Sequence, residues 1–116
     1  MNIEELRNYC LSLPGSTEDM PFDDTTIVFK VGNKIFALSI LDKTPPQVNL
    51  KCDPEYAIEL REKYPSIIPG FHMNKKHWNT VILRQEVGNK LLESLIKHSY
   101  DLVLNSLPQK IRAEIK

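Results

Sequence analysis

Between Ile27 and Cys52 apolar side chains return at every second position, in three short runs separated by tight turns. Ile27, Phe29 and Val31 alternate with Thr26, Val28 and Lys30, and Gly32-Asn33 then offers a two-residue hairpin loop. The run 35–41 is apolar on both sides, Asp42 to Pro46 turns the chain again, and Val48, Leu50 and Cys52 mark a third run. A period of two belongs to a strand with one buried face. Glycine in the first position of a two-residue loop suits a hairpin. Connections this short leave antiparallel pairing as the only arrangement. The run 35–41, apolar on both faces, predicts a central or covered strand.

Helical spacing flanks this block. Ile3, Leu6, Cys10 and Leu13 predict a helix over 2–13, opened by a capping box with Asn2 and Glu5 and closed by Pro14-Gly15. The polar, acidic stretch 16–24 predicts a loop. Asp53-Pro54-Glu55 combines a cap, a first-turn proline and an acid at the positive end of the helix dipole, so it predicts a second helix over 53–63. After a loop at 66–70, the segments 71–73 and 78–83 read as a last hairpin with Asn74-Lys75-Lys76-His77 at its tip. From Gly88, the stripe Leu91, Leu92, Leu95, Ile96, Ser99, Val103 and Leu107 predicts the longest helix, with Pro108 as its stop and a short helical turn in the tail. The order α-β-β-β-α-β-β-α predicts an α+β two-layer sandwich: a five-stranded antiparallel sheet with helices packed on one face. At 116 residues the chain reads as a single domain, 1–116. Such a chain buries about two thirds of its unfolded surface, enough for one core.

Two cysteines, Cys10 and Cys52, are too few for a disulfide framework and read as small buried hydrophobes. No leader of basic then apolar residues opens the sequence. No apolar run approaches the roughly 20 residues of a membrane span. A cytoplasmic, monomeric protein without membrane contact is expected. The formal net charge is zero but unevenly placed: residues 1–24 carry −5 and the remainder +5.

His98-Ser99-Tyr100-Asp101-Leu102-Val103, followed by Leu107-Pro108-Gln109-Lys110, resembles the closing signature of the MmcQ/YjbR family. Leu13-Pro14-Gly15 with the acidic stretch and Pro21-Phe22 is similar to the family's opening. The first strand pair, Val48-Asn49-Leu50-Lys51-Cys52-Asp53-Pro54 and Lys76-His77-Trp78-Asn79-Thr80-Val81 are similar to its middle. The resemblance spans about residues 3–112. It implies a two-layer fold related to frataxin-like and secretion-chaperone-like arrangements, and a DNA-binding label. It implies no catalytic residues, and no cofactor or metal is expected.

The residues themselves offer one nucleic-acid feature. Lys75 and Lys76 at a hairpin tip can reach phosphate, Trp78 beside them can stack on a base, and Lys34 flanks another turn. Lys30, Lys43 and Lys51 on other strands would extend a basic face. The competing reading makes these solvated turn lysines and makes Trp78 a core residue between helix and sheet. The expected partner is duplex DNA, bound weakly and without sequence preference, with the acidic segment 1–24 turned away. A protein- or peptide-binding module is the alternative. His72 and His77, with Cys52 and Asp53, are too few and too irregularly spaced for a structural zinc site. Glu18, Asp19, Asp23 and Asp24 match no calcium loop. Ser99, Tyr100 and Asp101 beside His98 point in different directions on a helix and read as structural, with Tyr100 and Asp101 bonding neighbouring loops.

Overall fold

In the computed structural model, which describes residues 1–70 and 73–115, the chain runs α1 (Ile3–Ser12), β1 (Ser16–Asp19), β2 (Thr26–Val31), β3 (Lys34–Ile40), β4 (Gln47–Lys51), α2 (Pro54–Lys63), β5 (Ile67–Pro69), β6 (Trp78–Ile82), α3 (Asn89–Ser106) and α4 (Gln109–Glu114). The helix starts follow their caps. Asn2 accepts the Glu5 N–H while Glu5 accepts the Asn2 N–H, a complete capping box. Asp53 accepts the Tyr56 N–H with Pro54 in the first turn.

The strands form one antiparallel sheet in the order β1-β2-β3-β4-β6-β5. It has six strands where five were expected. The stretch read as a loop at 16–24 begins with β1, an edge strand whose Ser-Thr-Glu-Asp side chains, exposed except for the half-buried Ser16, carry no apolar alternation. Charge on an edge strand blunts pairing with other chains, so its sequence reads as a loop. The strand expected at 71–73 falls on residues of which 71 and 72 lie outside the described set. The partner of β6 is instead β5, inside the stretch read as a loop at 66–70. Because β6 lies between β4 and β5, these two run the same way without touching, and α2 is the crossover of a split β-α-β unit.

Among the described residues the helices pack on one face. Ile27, Phe29, Val31, Val48, Leu50, Val81 and Ile67 project from the sheet into a core shared with Leu6 and Cys10 of α1, Ala57 and Leu60 of α2 and Leu92, Leu95, Ile96 and Val103 of α3. A register shift between Phe29 and Lys30 turns both Phe36 and Ala37 toward this core. Ser99, fully buried, sits at the centre of α3 where it crosses β3 and β4. The Tyr100 hydroxyl donates to the Pro14 carbonyl and its ring meets Phe36 edge-on at 5.4 Å.

The opposite, helix-free face follows from the register. Lys30, Ile35, Val28 and Leu38 lie on β2 and β3, Asn49 and Lys51 on β4, and Thr80 and Trp78 on β6. Its centre is closed: Val28 and Asn49 are fully buried, and Thr80 donates from Oγ1 to Asn49 Oδ1 at 2.5 Å.

Candidate nucleic-acid interface

The β2–β3 turn, the end of β4 and the start of β6 all lie at one end of the sheet, because each neighbouring strand reverses direction. Lys51 and Trp78 are direct cross-strand partners there, on the helix-free face, and both are half-buried. Cross-strand partners hold their Cβ atoms about 5 Å apart, so the Lys51 stem and the Trp78 indole form one surface. Lys75 and Lys76 occupy the turn that leads into β6. Asn74 builds that turn: its Oδ1 accepts the N–H of Lys76 at 2.8 Å and of His77 at 3.3 Å, an Asx-type arrangement. Cys52 N–H then donates to the His77 carbonyl at 2.8 Å, tying the turn to the end of β4. Gly70 lies against the other side of Trp78. A Cβ on Gly70 would stand 2.9 Å from both the Trp78 Cβ and the Trp78 carbonyl oxygen.

Trp78 is therefore not the helix-to-sheet anchor of the competing reading. Asn79 takes the inward position, donating from Nδ2 toward the Ala57 carbonyl of α2, and Trp78 faces away. Lys34 lies at the same end of the sheet, but it pairs with Val31, so it projects on the helix side. Gly32 in the adjoining turn approaches Leu107 so closely that a Cβ would stand 2.4 Å from that side chain. Lys30 is on the helix-free face, held by Asp19 at 3.4 Å. Lys43 lies in the β3–β4 turn at the far end. The structure thus gathers Lys51, Trp78, Lys75 and Lys76, brings Lys34 to the rim from the other side, and separates Lys43. Lys34, Lys51 and Lys76 make no ion pair among the described residues. Asp53 and Glu55, at the start of α2, place acids at this end.

The acidic stretch is occupied internally. Glu18 pairs with Arg7 at 2.5 Å, and that bond holds the Glu18 carboxyl below its ordinary range. Asp23 accepts from the Thr25 and Thr26 backbone and side chains, which lowers its pKa as well. No cluster of three or more His, Cys, Asp or Glu side chains suited to a metal ion exists among the described residues. His72 lies outside them. Burial pushes the Cys10 thiol up to about 12 and the Cys52 thiol up to about 11, so both stay protonated.

The polar residues near the middle of α3 part company. His98 Nε2 accepts the Asp53 N–H at 3.2 Å. Ser99 bonds the strands beneath it, and Tyr100 bonds the loop at Pro14. Asp101 was expected to bond a loop. It pairs instead with Lys97 one turn earlier on its own helix, at 2.8 Å, the spacing at which helical side chains meet. The buried Asn49–Thr80 pair is the polar feature of this face that the sequence reading passes over. It emerges only once β4 and β6 are set in register.

The family model described as YjbR matches residues 11–102. The chain is 39% identical over 113 residues to the uncharacterised protein YbdF of Escherichia coli O157:H7, covering 97% of this chain and 93% of that one. It is 34% identical over 112 residues to the uncharacterised protein YjbR of Escherichia coli K12, covering 97% and 95%. Among solved structures, the crystal structure of Deinococcus radiodurans protein DR2400 superposes with a TM-score of 0.91 at 44% identity, over 97% of this chain and 86% of that one. A Pseudomonas syringae protein superposes at 0.77 and 32% identity, over 89% and 99%.

Proposed function

The chain belongs to the YjbR family, and on that premise we propose that it is a non-enzymatic, monomeric, cytoplasmic DNA-binding protein on a frataxin-like two-layer scaffold. The observation that carries the reading is the Lys51–Trp78 cross-strand pair beside the Lys75-Lys76 turn. Ammonium groups on short turns and strand ends can follow a phosphate backbone, and an indole among them supplies apolar contact to the sugar edge. Phosphate contacts give affinity and orientation but carry no sequence information. Among the described residues the short surface helix α4 offers only Gln109 and the half-buried Arg112 for reading base edges, so binding is weak and indifferent to sequence. Asp53 and Glu55 at the same end weaken it further. No helix among the described residues is long and apolar enough to cross a membrane.

The test is a titration of labelled duplex DNA at several salt concentrations. Each phosphate neutralised contributes about 0.9 to the slope of log affinity against log salt. The Lys75→Ala/Lys76→Ala variant should flatten that slope by about two if both lysines contact phosphate. Unchanged binding in the double variant removes this site. Absence of binding by the parent chain at low salt removes the DNA reading itself.

A further inference from the structure

The end of the sheet opposite the lysine turn has a different chemistry. Met20 and Phe22 lie in the β1–β2 loop, and Phe22 is 65% exposed. Leu41, also exposed, follows β3, and its N–H donates to the Thr25 carbonyl at 2.6 Å, joining the two segments. The other exposed large apolar side chains among the described residues, Ile58 and Ile111, stand singly on α2 and α4. Single exposed apolar residues are ordinary on a protein surface, whereas several at one place mark an interaction site. Around the three, residues 19–25 and 41–46 supply Asp23, Asp24 and Asp42 against one base, Lys43, while Asp19 is already paired with Lys30. Asp24 and Asp42 make no ion pair among the described residues.

We propose that Met20, Phe22 and Leu41, rimmed by Asp23, Asp24 and Asp42, form a docking surface for a segment of another protein that combines lysine or arginine with apolar side chains. Charge complementarity selects the occupant: an acidic rim around apolar side chains favours a basic, amphipathic partner and repels an acidic one. It also turns away nucleic acid, so this surface is separate from the lysine end. A second copy of the chain is the less suitable occupant. Its own basic patch lies at the opposite end of the molecule, and head-to-tail contacts of that kind propagate into open chains unless the rotation closes a ring.

The test uses the full chain, labelled with nitrogen-15, and two synthetic peptides of equal charge: one with Lys and Leu at helical spacing, and one with Ser in place of each Leu. Amide shifts should concentrate on residues 19–25 and 40–43 with the Lys/Leu peptide, and the Lys/Ser peptide should bind at least about tenfold more weakly. Phe22→Ser/Leu41→Ser should weaken the Lys/Leu peptide about tenfold without lowering Tm, and Asp24→Lys/Asp42→Lys should do the same by charge alone. Shifts centred on Lys51 and Lys75 to Trp78, equal binding of the two peptides, or unchanged affinity in both variants would overturn the proposal. So would a parent chain whose sedimenting mass rises with concentration and falls back in the Phe22→Ser/Leu41→Ser variant, because the surface would then belong to self-association. None of these readouts involves DNA, so this proposal and the DNA reading stand or fall separately.

Discussion

The Ser99 hydroxyl accepts the backbone N–H of Lys51 at 2.9 Å, from the middle of the buried face of α3. It donates its own O–H to the Phe36 carbonyl at 2.6 Å. Phe36 and Lys51 would be the next pair after Ala37 and Leu50 in the β3–β4 ladder. The helix therefore supplies a hydroxyl where the two strands would otherwise bond each other, and it fixes the backbone from which the Lys51 side chain leaves toward the opposite face.

Ser99→Ala should destabilise the fold by about 1–3 kcal/mol, since a buried N–H and a buried C=O both lose a partner. Ser99→Leu adds overpacking of a fully buried site, itself worth about 1–3 kcal/mol. Thermal and urea melts measure both. A Ser99→Leu variant that melts with the parent would show that the hydroxyl bridge is not structural.

Trp78 is the one tryptophan of the chain, so its fluorescence reports the proposed interface directly. Duplex DNA added at low salt should change its emission, and raised salt should restore it. Lys51→Ala should lower the salt slope by about 0.9 while leaving Tm near that of the parent. An emission unaltered by DNA, under conditions where a labelled duplex is bound, would place the contact elsewhere.

Glu86 Oε2 accepts both the N–H and the Oγ–H of Ser66, at 2.8 and 2.6 Å, joining the loop after β6 to the start of β5. The Ser66 side-chain bond, then its backbone bond, holds the Glu86 carboxyl below its ordinary value of 4.5. A carboxyl lowered by folding stabilises the native state above its unfolded pKa, and that contribution is lost as pH falls through the folded value. Glu86→Gln should therefore melt below the parent at neutral pH, and the gap should close as pH drops from about 5 toward 3. A gap that persists unchanged into acid would separate the effect from this charge.

Cys10 and Cys52 should resist a thiol reagent at pH 8 in the native state and react once denaturant is added, because only the thiolate is nucleophilic and burial keeps both protonated. Rapid native labelling of Cys10 would require an opening of α1 that its core position does not provide.

Much of this was legible in local chemistry. The capping box at Asn2 and Glu5, the Asp53-Pro54 start and the period-two runs after Thr25 each announce an element within a few residues. The two missed strands lacked that signal for different reasons. Ser16–Asp19 lies on an edge where neither face demands apolar residues, and Ile67–Pro69 is three residues long and closed by a proline. The candidate site was harder still. Which face a lysine takes depends on register, and one shift beside Phe29 is enough to set both Phe36 and Ala37 inward. Lys34 and Lys51 look equivalent along the chain, yet the pairings Val31–Lys34 and Lys51–Trp78 send them to opposite faces. Trp78 reads along the chain either as a stacking side chain or as core, and only the register, which gives its neighbour Asn79 the inward place, separates the two.

The insertion of β6 between β4 and β5 has a consequence for synthesis. Everything up to Pro69 leaves the ribosome before the strand that separates them does. Until Trp78–Ile82 emerges, the edge of Gln47–Lys51 has no neighbour, and until Asn89–Ser106 follows, the apolar side of the sheet has no cover. A nascent chain at that stage presents an unpaired strand and open apolar surface, the conditions under which chains associate wrongly. Productive folding must wait until Trp78–Ile82 and Asn89–Ser106 are both outside the ribosome, and a chain exposed only as far as residue 77 holds an open sheet edge.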